Sequence, residues 1–202
     1  MTDLKVTDEN CFPYSEHSKV KSGHKRASYK KQPVHHLVDD LKLGHIGFIW
    51  NKRPVVIPMS VWRVDDDLFF HVANKSRLQK LLEAGEEISI SFAESNEWVM
   101  AKSAYHHSAN YRSAVMYCTG SRVTDDVEFD HAFEVFIEQI EKGRWDKVRA
   151  PSKQERKATA LMKLTVNEAS FKSRTGGATI EAIDEPYDVW TGVVDVCPVH
   201  PG

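Results

Sequence analysis

The densest group of side chains that could do chemistry lies at residues 104–113, AYHHSANYRS. Two histidines, two serines, an asparagine, two tyrosines and an arginine can form hydrogen bonds there. Between two strand-like runs, such a stretch would suit the edge of a ligand site, with Arg112 and Ser113 facing an anion and Tyr111 covering a flat ring. The alternative is a solvated loop in which the adjacent histidines are incidental.

The composition is that of a folded protein with a substantial core. The chain has 202 residues, of which 41% are hydrophobic and 28% charged, and its formal net charge is −2. This length suits one domain, or one domain with appended helices. A general nucleic-acid-binding protein would be distinctly basic, so that class is not expected. Short basic clusters before residue 32 are typical of a solvated N-terminal arm.

The sequence predicts a protein of the cytoplasm. No apolar run approaches the roughly 20 residues that a membrane-spanning helix needs, and the first residues lack the apolar core of a signal peptide. The three cysteines, Cys11, Cys118 and Cys197, are widely spaced and odd in number. This pattern favours reduced thiols over a disulfide framework, and it argues against a zinc site.

Apolar runs and turn residues predict a β-meander that begins near residue 45. An amphipathic helix over residues 31–43 precedes it, with Pro33 in its first turn and Gly44 after its end. Within the second strand, Pro58 removes one donor from the ladder and therefore marks an edge strand or a bulge. The predicted strands, rich in Val, Ile, Phe and Trp, are residues 45–50, 54–64 and 68–72.

A short helix is expected at residues 78–84, capped by Asn74 or Ser76. Its first amides are unpaired and lie at the positive end of the helix dipole, so together with Lys75 and Arg77 they would favour an anion. The alternative is an ordinary capped helix whose cations face solvent.

The remaining pattern predicts further strands with helices inserted between them. Serine at 152 and glutamate at 155 form a capping-box signature. This order indicates a closed or split β-barrel with flanking helices, mainly β within the α+β class. We expect an arm over residues 1–30 and a single domain over residues 31–202. The predicted helices are residues 130–142 and 152–159, the strands 87–92, 98–103, 114–123, 161–166 and 189–196, and the turns 95–96 and 171–177.

A series of short motifs runs through most of the chain, from about residue 23 to residue 194. They are RPVVIP at 53–58, FH at 70–71, SR at 76–77, AKSA at 101–104, HHS at 106–108, NYRS at 110–113, GRW at 143–145, EAS at 168–170 with Arg174, and VWTGV at 189–193. None is as specific as a nucleotide P-loop. In order and spacing together, the series resembles the pyridoxamine 5′-phosphate oxidase-related flavoproteins, and most closely the branch of flavin-nucleotide-binding proteins.

The resemblance implies an FMN-binding split β-barrel and a homodimer with FMN at the subunit interface. It implies that Phe70 and His71 lie near the flavin ring and the ribityl chain. The strand residues that would line the isoalloxazine with backbone groups are Val56, Ile57, Pro58, Met59 and Ser60. The resemblance implies that Lys75, Ser76 and Arg77 hold the phosphate. It implies that Tyr111, Arg112 and Ser113 complete the flavin or phosphate site. Arg174 and Trp190 would approach the ring, from the same or the other subunit.

The sequence also departs from the oxidase pattern. The oxidase strand ends in a lysine that helps to hold FMN, whereas Met59 and Ser60 stand in that region here. The phosphate segment reads Ser-Arg-Leu rather than Ser-Arg-Lys, and the C-terminal arginine-and-histidine tail of the oxidase is not recognisable. Because related branches bind FMN without these features, we expect FMN binding but not pyridoxamine phosphate oxidation.

These features together predict an FMN-dependent oxidoreductase that acts on a small, unidentified substrate. His71 or His107 would deliver a proton, because histidine titrates near neutral pH. Arg112 or Arg174 would stabilise the anionic reduced flavin. Two alternatives stay open: a nitroreductase similar to the nitroimidazole-resistance relatives of this barrel, and a flavin- or haem-binding module without turnover.

Overall fold

An antiparallel sheet dominates the computed structural model, which describes residues 4–5 and 8–196. The strands are β1 (Ala27–Ser28), β2 (Leu43–Trp50), β3 (Arg53–Ser60), β4 (Trp62–Val64), β5 (Asp67–Ala73), β6 (Ile88–Met100), β7 (Ser108–Arg122), β8 (Thr159–Arg174) and β9 (Gly192–Asp195). The helices are α1 (Lys31–Leu41), α2 (Arg77–Glu83), α3 (Asp126–Ile140) and α4 (Lys153–Ala158). None of these described helices is long and apolar enough to cross a membrane.

The sheet is open, with β3 at one end and β4 at the other. Among the described residues it has nine strands in the order β3-β2-β6-β7-β8-β5-β4, and β1 joins β8 while β9 joins β6. The long strand β6 changes partner along its length, pairing with β2 near Ile90 and with β9 near Trp98. Pro58 therefore lies on an edge strand, which confirms one of the two predicted settings, and β3 pairs with β2 without a register shift.

One face of the sheet packs into the main core, because apolar side chains alternate along the central strands. α1 and α2 lie over this face. The sheet contributes the buried residues Ile88, Ile90 and Phe92 from β6 and Ala114, Met116 and Cys118 from β7. The helices contribute Val34, Leu37 and Val38 from α1 and Leu78 and Leu82 from α2.

A second apolar cluster joins α3 to the hairpin formed by β4 and β5. Trp62 is fully buried in it, and its indole Nε1 donates to the Ala132 carbonyl oxygen at 2.8 Å. Phe136 of α3 stacks on Trp62 with ring centroids 4.5 Å apart. The helix starts at Asp126 rather than at residue 130, because the side chain of Asp125 caps it. Farther along, the capping box predicted at residues 152 and 155 is confirmed.

Two strands are longer than predicted. Residues 95–96, predicted as a turn, lie inside β6, where the register with β7 shifts between Ser95 and Glu97. The first part of the predicted turn at 171–177 continues β8, which ends at Arg174. Both turn predictions are wrong over these residues. The segments are polar, but pairing with β7 satisfies their backbone groups, and this tertiary partner overrides the local turn signal.

Gly44 does not end α1, contrary to the prediction. The helix ends instead at Lys42, which has a left-handed backbone (φ 52°) and whose N–H donates to the Val38 carbonyl oxygen. Gly44 lies in β2, where an added Cβ would come within 2.9 Å of the Phe92 ring. A glycine is needed there because β2 approaches the core side chains of β6 closely.

The segment before α1 packs against the sheet. Phe12 is buried in the main core. On β8, Glu168 accepts hydrogen bonds from the hydroxyls of Ser15 and Ser18, at 2.7 Å and 2.5 Å. Although burial opposes it, these bonds lower the pKa of Glu168. The division into an arm over residues 1–30 and one domain over residues 31–202 stays a prediction.

Candidate functional site

The strand assigned to the flavin ring, β3, has one free edge. Among the described strands it pairs with β2 alone, so the backbone groups along its other side are available to a ligand. Its side chains alternate: Ile57 and Met59 pack against the main core, whereas Val56, Pro58 and Ser60 are exposed. A flat ligand beside this strand would meet backbone N–H and C=O groups and the exposed apolar side chain of Val56.

The turn assigned to the phosphate, Lys75–Arg77, follows β5 and starts α2. Ser76 caps the helix by accepting from Gln79 N at 3.2 Å, which confirms one of the two predicted caps. Two of the turn's amides are already used, because Lys75 N donates to the Gln79 side chain at 2.6 Å and Ser76 N donates to Ala73 O at 3.1 Å. Anion binding by this turn would therefore depend mainly on its charged side chains.

Those side chains are free of internal ion pairs. Within residues 4–5 and 8–196, neither Lys75 nor Arg77 forms a salt bridge. The Arg77 guanidinium lies over the Phe48 ring at 5.5 Å from the centroid. Phe48 pairs with Val55 of β3, so this cation sits one strand away from the predicted ring-binding strand.

Arg112, by contrast, is already occupied by two carboxylates. Its guanidinium donates to Asp40 at 2.9 Å and forms a short bond and ion pair with Glu94. Partial burial opposes the charged form, but the bonds to Glu94 and Asp40 prevail and raise the pKa of Arg112. An anion would have to compete with both carboxylates for this side chain.

The neighbours of Arg112 also have partners within the fold. The Ser113 hydroxyl donates to the Lys172 carbonyl oxygen at 3.3 Å. Tyr111 pairs with Arg174 across β7 and β8. The Arg174 guanidinium donates to the Asn110 side chain and to the carbonyl oxygens of residues 176 and 177. Arg174 thus holds the chain that leaves β8, and its partners are neutral.

The predicted site residue Trp190 follows β8 and is largely accessible to solvent. It is 63% exposed, and it precedes β9. An added Cβ at Gly192 would come within 2.4 Å of the indole ring, so the glycine gives this tryptophan room beside the strand.

The predicted site residues form two groups at opposite ends of β7. Beside Lys75, Asn74 accepts from Arg122, the last residue of β7, at 3.3 Å. Tyr111, Arg112 and Ser113 lie near the start of the same strand. The part of β7 between Ser113 and Arg122 is roughly 30 Å long. Within one subunit the two groups are therefore too far apart to surround the same isoalloxazine ring.

Phe70 and His71 point to opposite sides of β5. Phe70 is fully buried in the main core. His71 faces α3, with its ring centroid 5.7 Å from that of Phe133, and lines a cavity of about 390 Å³. Burial among these side chains lowers the pKa of His71, so the neutral imidazole is favoured at neutral pH.

Both histidines of the AYHHSANYRS stretch lie close to an oxygen atom of another residue. His107 Nδ1 lies 3.0 Å from the Ser103 carbonyl oxygen, and His106 Nε2 lies 3.3 Å from the carboxylate of Glu181. Residues 104–106 form a 3₁₀ turn, and β7 begins at Ser108. The candidate proton donors His71 and His107 therefore lie on different elements and in different surroundings.

Sequence reasoning missed the carboxylates on Arg112 and the cavity beside His71. Asp40 and Glu94 lie 72 and 18 residues from Arg112 in sequence, and no local pattern links them. The cavity depends on α3 and α4, whose predicted role was only to flank the barrel. Phe129 and Phe133, four residues apart on α3, line the cavity and were an available signal, because aromatic side chains often line ligand pockets. Among the described residues, no group of three or more His, Cys, Asp or Glu side chains could hold a metal ion.

Comparison with solved structures found similar folds. The flavocytochrome Anf3 from Azotobacter vinelandii is 30% identical, with a TM-score of 0.83 over 93% of this chain and 89% of that chain. The FAD and heme binding protein from Mycobacterium smegmatis is 24% identical, with a TM-score of 0.78 over 86% and 88%. A protein from Bacteroides thetaiotaomicron named for 5-nitroimidazole antibiotic resistance is 17% identical, with a TM-score of 0.61 over 72% and 85%.

A comparison with the curated proteins found no match. The family model for pyridoxamine 5′-phosphate oxidase matches residues 30–173, which is more than half of the chain. This match confirms the resemblance inferred from the motifs, and the predicted fold, mainly β with flanking helices, is confirmed as an open split barrel. The chain belongs to the pyridoxamine 5′-phosphate oxidase family.

Proposed function

We propose that the protein binds a flavin, in the form of FMN, between the free edge of β3 and the turn Lys75–Arg77. The observation that supports this most directly is that an unpaired strand edge lies near two cations that form no salt bridge among the described residues. Anf3, 30% identical over most of both chains, is named a flavocytochrome, and the family membership agrees with the same cofactor class.

The residues present fit such a cofactor. Backbone groups of Val56–Ser60 would hydrogen-bond the polar edge of the isoalloxazine, and the exposed Val56 side chain would contact its apolar part. The side chains of Lys75 and Arg77, with the Ser76 hydroxyl, would hold the phosphate through charge-assisted hydrogen bonds. The flavin, when bound, supplies redox chemistry, while the protein supplies orientation and electrostatics.

The site is completed by a second copy of the chain. Because Tyr111 on β7 and Arg174, its partner on β8, lie far from Lys75 in one subunit, a two-fold dimer would bring the partner's copies of these residues and of Trp190 to the flavin. The sheet face that carries the exposed side of β3 provides apolar contact area for this dimer. Its exposed apolar residues are Leu43, Ile49, Val56 and Val115, which are 51%, 61%, 65% and 38% exposed.

We further propose an oxidoreductase that acts on a small substrate in the cytoplasm, where the buried free thiols of Cys11 and Cys118 would stay reduced. His107 is the better candidate for proton delivery at this site, because its loop adjoins β7, whereas His71 faces α3.

Nitroimidazole reduction is a weaker candidate for the function, since only a fold likeness supports it. Haem binding is a second candidate, because the name of Anf3 combines a flavin with a cytochrome.

The experiment is flavin binding by the purified protein, followed by subunit mixing. We expect flavin absorbance bands after reconstitution with FMN, and release of FMN rather than FAD on denaturation. Arg77→Ala and Trp190→Ala damage opposite parts of the shared site, and each variant alone should bind FMN weakly. Unfolding and refolding the two together should restore about a quarter of the sites, because half of the dimers are mixed and each has one intact site.

Recovery in the mixture would show that one site needs two subunits. The matched control is a mixture of Arg77→Ala with Lys75→Ala, which damages the same part of the site and should recover nothing. No recovery in the first mixture, with the dimer present by light scattering, would refute the shared site. A monomeric protein that binds neither FMN nor FAD would refute the whole proposal.

A further inference from the structure

A cavity outside the proposed flavin site is formed by α3, α4 and the loop between them, packed over β5. Its volume is about 390 Å³, and its walls include His71, Phe129, Phe133, Trp145 and Arg149. The loop is fixed in place, since the Glu138 carboxylate accepts from Gly143 N at 2.6 Å and from Trp145 N at 2.8 Å. The cavity is therefore part of the fold, with aromatic walls and a polar rim.

His71 is the distinctive group in this cavity. Its ring lies near the rings of Phe133 and Trp62, at centroid distances of 5.7 Å and 6.3 Å. In the part of the chain that the structure describes, no hydrogen bond or ion pair involves the His71 imidazole, and His71 is the histidine among the residues that line this cavity. His71 is an exposed residue that lines the cavity, so its ring nitrogens are accessible to a ligand there.

A bare metal ion is not the ligand that such a site fits. Protein sites for free ions need several ligating side chains, and none of the groups of His, Cys, Asp and Glu among the described residues can supply them. An iron ion held in a porphyrin brings four ligands of its own and needs one axial imidazole from the protein. The flat apolar faces of the porphyrin would also match the aromatic walls beside His71.

The rim of the cavity offers a partner for carboxylates. Arg149 lines it and is bound by Glu155 through two bonds of 2.7 Å and 2.6 Å. The Arg149 side chain is 70% exposed, so it can turn from Glu155 to another carboxylate at small cost. A haem whose iron faces His71 would need such a cation for its propionates, which remain at the solvent edge.

We propose that this cavity binds haem, with His71 as the axial ligand of the iron and Arg149 contacting a propionate. This inference rests on haem binding, the second candidate under the proposed function, and it adds the place in the fold where the haem would bind. It does not depend on the flavin site, because none of the residues proposed to hold the flavin lines this cavity. One chain would then bind two redox groups, each at its own place.

The test is a titration of the purified protein with haemin, monitored by the Soret band. The wild type should show a shifted, saturable Soret band at one haemin per chain. Loss of an outer-shell partner typically costs roughly 10–100-fold in metal affinity, so His71→Ala should weaken haemin binding at least as much and change the spectrum. His131→Ala on α3 is the matched control, since that histidine is exposed, and it should bind like the wild type.

A second variant separates ligation from packing. His71→Gly should recover the wild-type spectrum when free imidazole is added, because imidazole can enter the space left by the side chain. The proposal is overturned if wild-type protein gives no saturable Soret shift, or if His71→Ala binds haemin with unchanged affinity and spectrum. FMN titration of the same samples, with circular dichroism as a check on folding, shows separately whether the flavin proposal holds.

Discussion

The segments Lys75–Arg77 and Tyr111–Ser113 look alike in the sequence, yet their arginines have different surroundings in the fold. Each combines an arginine with a serine, and each was assigned to the same ligand. Arg77 lies over an aromatic ring and has no salt bridge among the described residues, whereas Arg112 is bound by Asp40 and Glu94. The charge of Arg77 is therefore available to a ligand, whereas the charge of Arg112 is neutralised by carboxylates of the protein itself.

This difference shows what makes an arginine available for binding. Asp40 comes from α1 and Glu94 from β6, so the pair that occupies Arg112 exists only once the helix has packed on the sheet. Arg112 thereby ties α1 to the start of β7. Of these two family motifs, the one whose arginine has no carboxylate neighbour among the described residues therefore contains the better ligand candidate.

The largest expected effect is that of Arg77→Ala on FMN affinity. A charge-assisted hydrogen bond is worth about 1.5–3 kcal/mol, which corresponds to roughly 10- to 100-fold weaker binding. Riboflavin, which lacks the phosphate, should bind both proteins equally well. Lys80→Ala, which removes an exposed cation from the same helix, serves as the control in the fluorescence titration. Equal losses for FMN and riboflavin would show that Arg77 does not contact the phosphate.

Arg112→Ala should act on stability more than on FMN binding. The variant leaves Glu94 and Asp40 without their shared partner, but the side chain is 37% exposed, so screening by solvent limits the loss. We expect a loss of about 1 kcal/mol, which lowers Tm by roughly 2–4 °C for a chain of this size. Thermal unfolding with and without FMN measures both quantities.

A double-mutant cycle checks the cause of that loss. Glu94→Gln in the Arg112→Ala background removes one of the orphaned charges and should cost less than it does in the wild type. If Arg112→Ala instead left Tm unchanged and weakened FMN binding as much as Arg77→Ala, the two arginines would have the same role, and the comparison would be wrong.

The sequence predicted the architecture well because its strongest signals are local. Runs of Val, Ile and Phe predicted most strands, and the cap at Ser76 and the capping box at Ser152 were read from side chains a few residues apart. Partners far apart in sequence were not predictable. The polar residues 95–96 look like a turn until β7 pairs with them, and no local signal near His71 shows that α3 packs beside it.

The smallest expected effects come from the two serines. Ser76→Ala removes the cap of α2, whose Leu78 and Leu82 are buried, and should cost about 1 kcal/mol. Ser113→Ala removes a 3.3 Å bond to the Lys172 carbonyl oxygen in a half-buried strand and should stay within about 0.5 kcal/mol. Chemical denaturation of both variants gives the two values, and equal losses would contradict the difference between the stretches.

Ser76→Asp separates capping from ligand binding at the same position. Aspartate caps a helix about as well as serine, so stability should return to that of the wild type. Its carboxylate would lie beside Lys75 and Arg77 and would repel a phosphate, so FMN affinity should fall while riboflavin affinity does not. A variant that is stable and still binds FMN normally would place the phosphate elsewhere, and the free cations of this turn would then be ordinary surface charges.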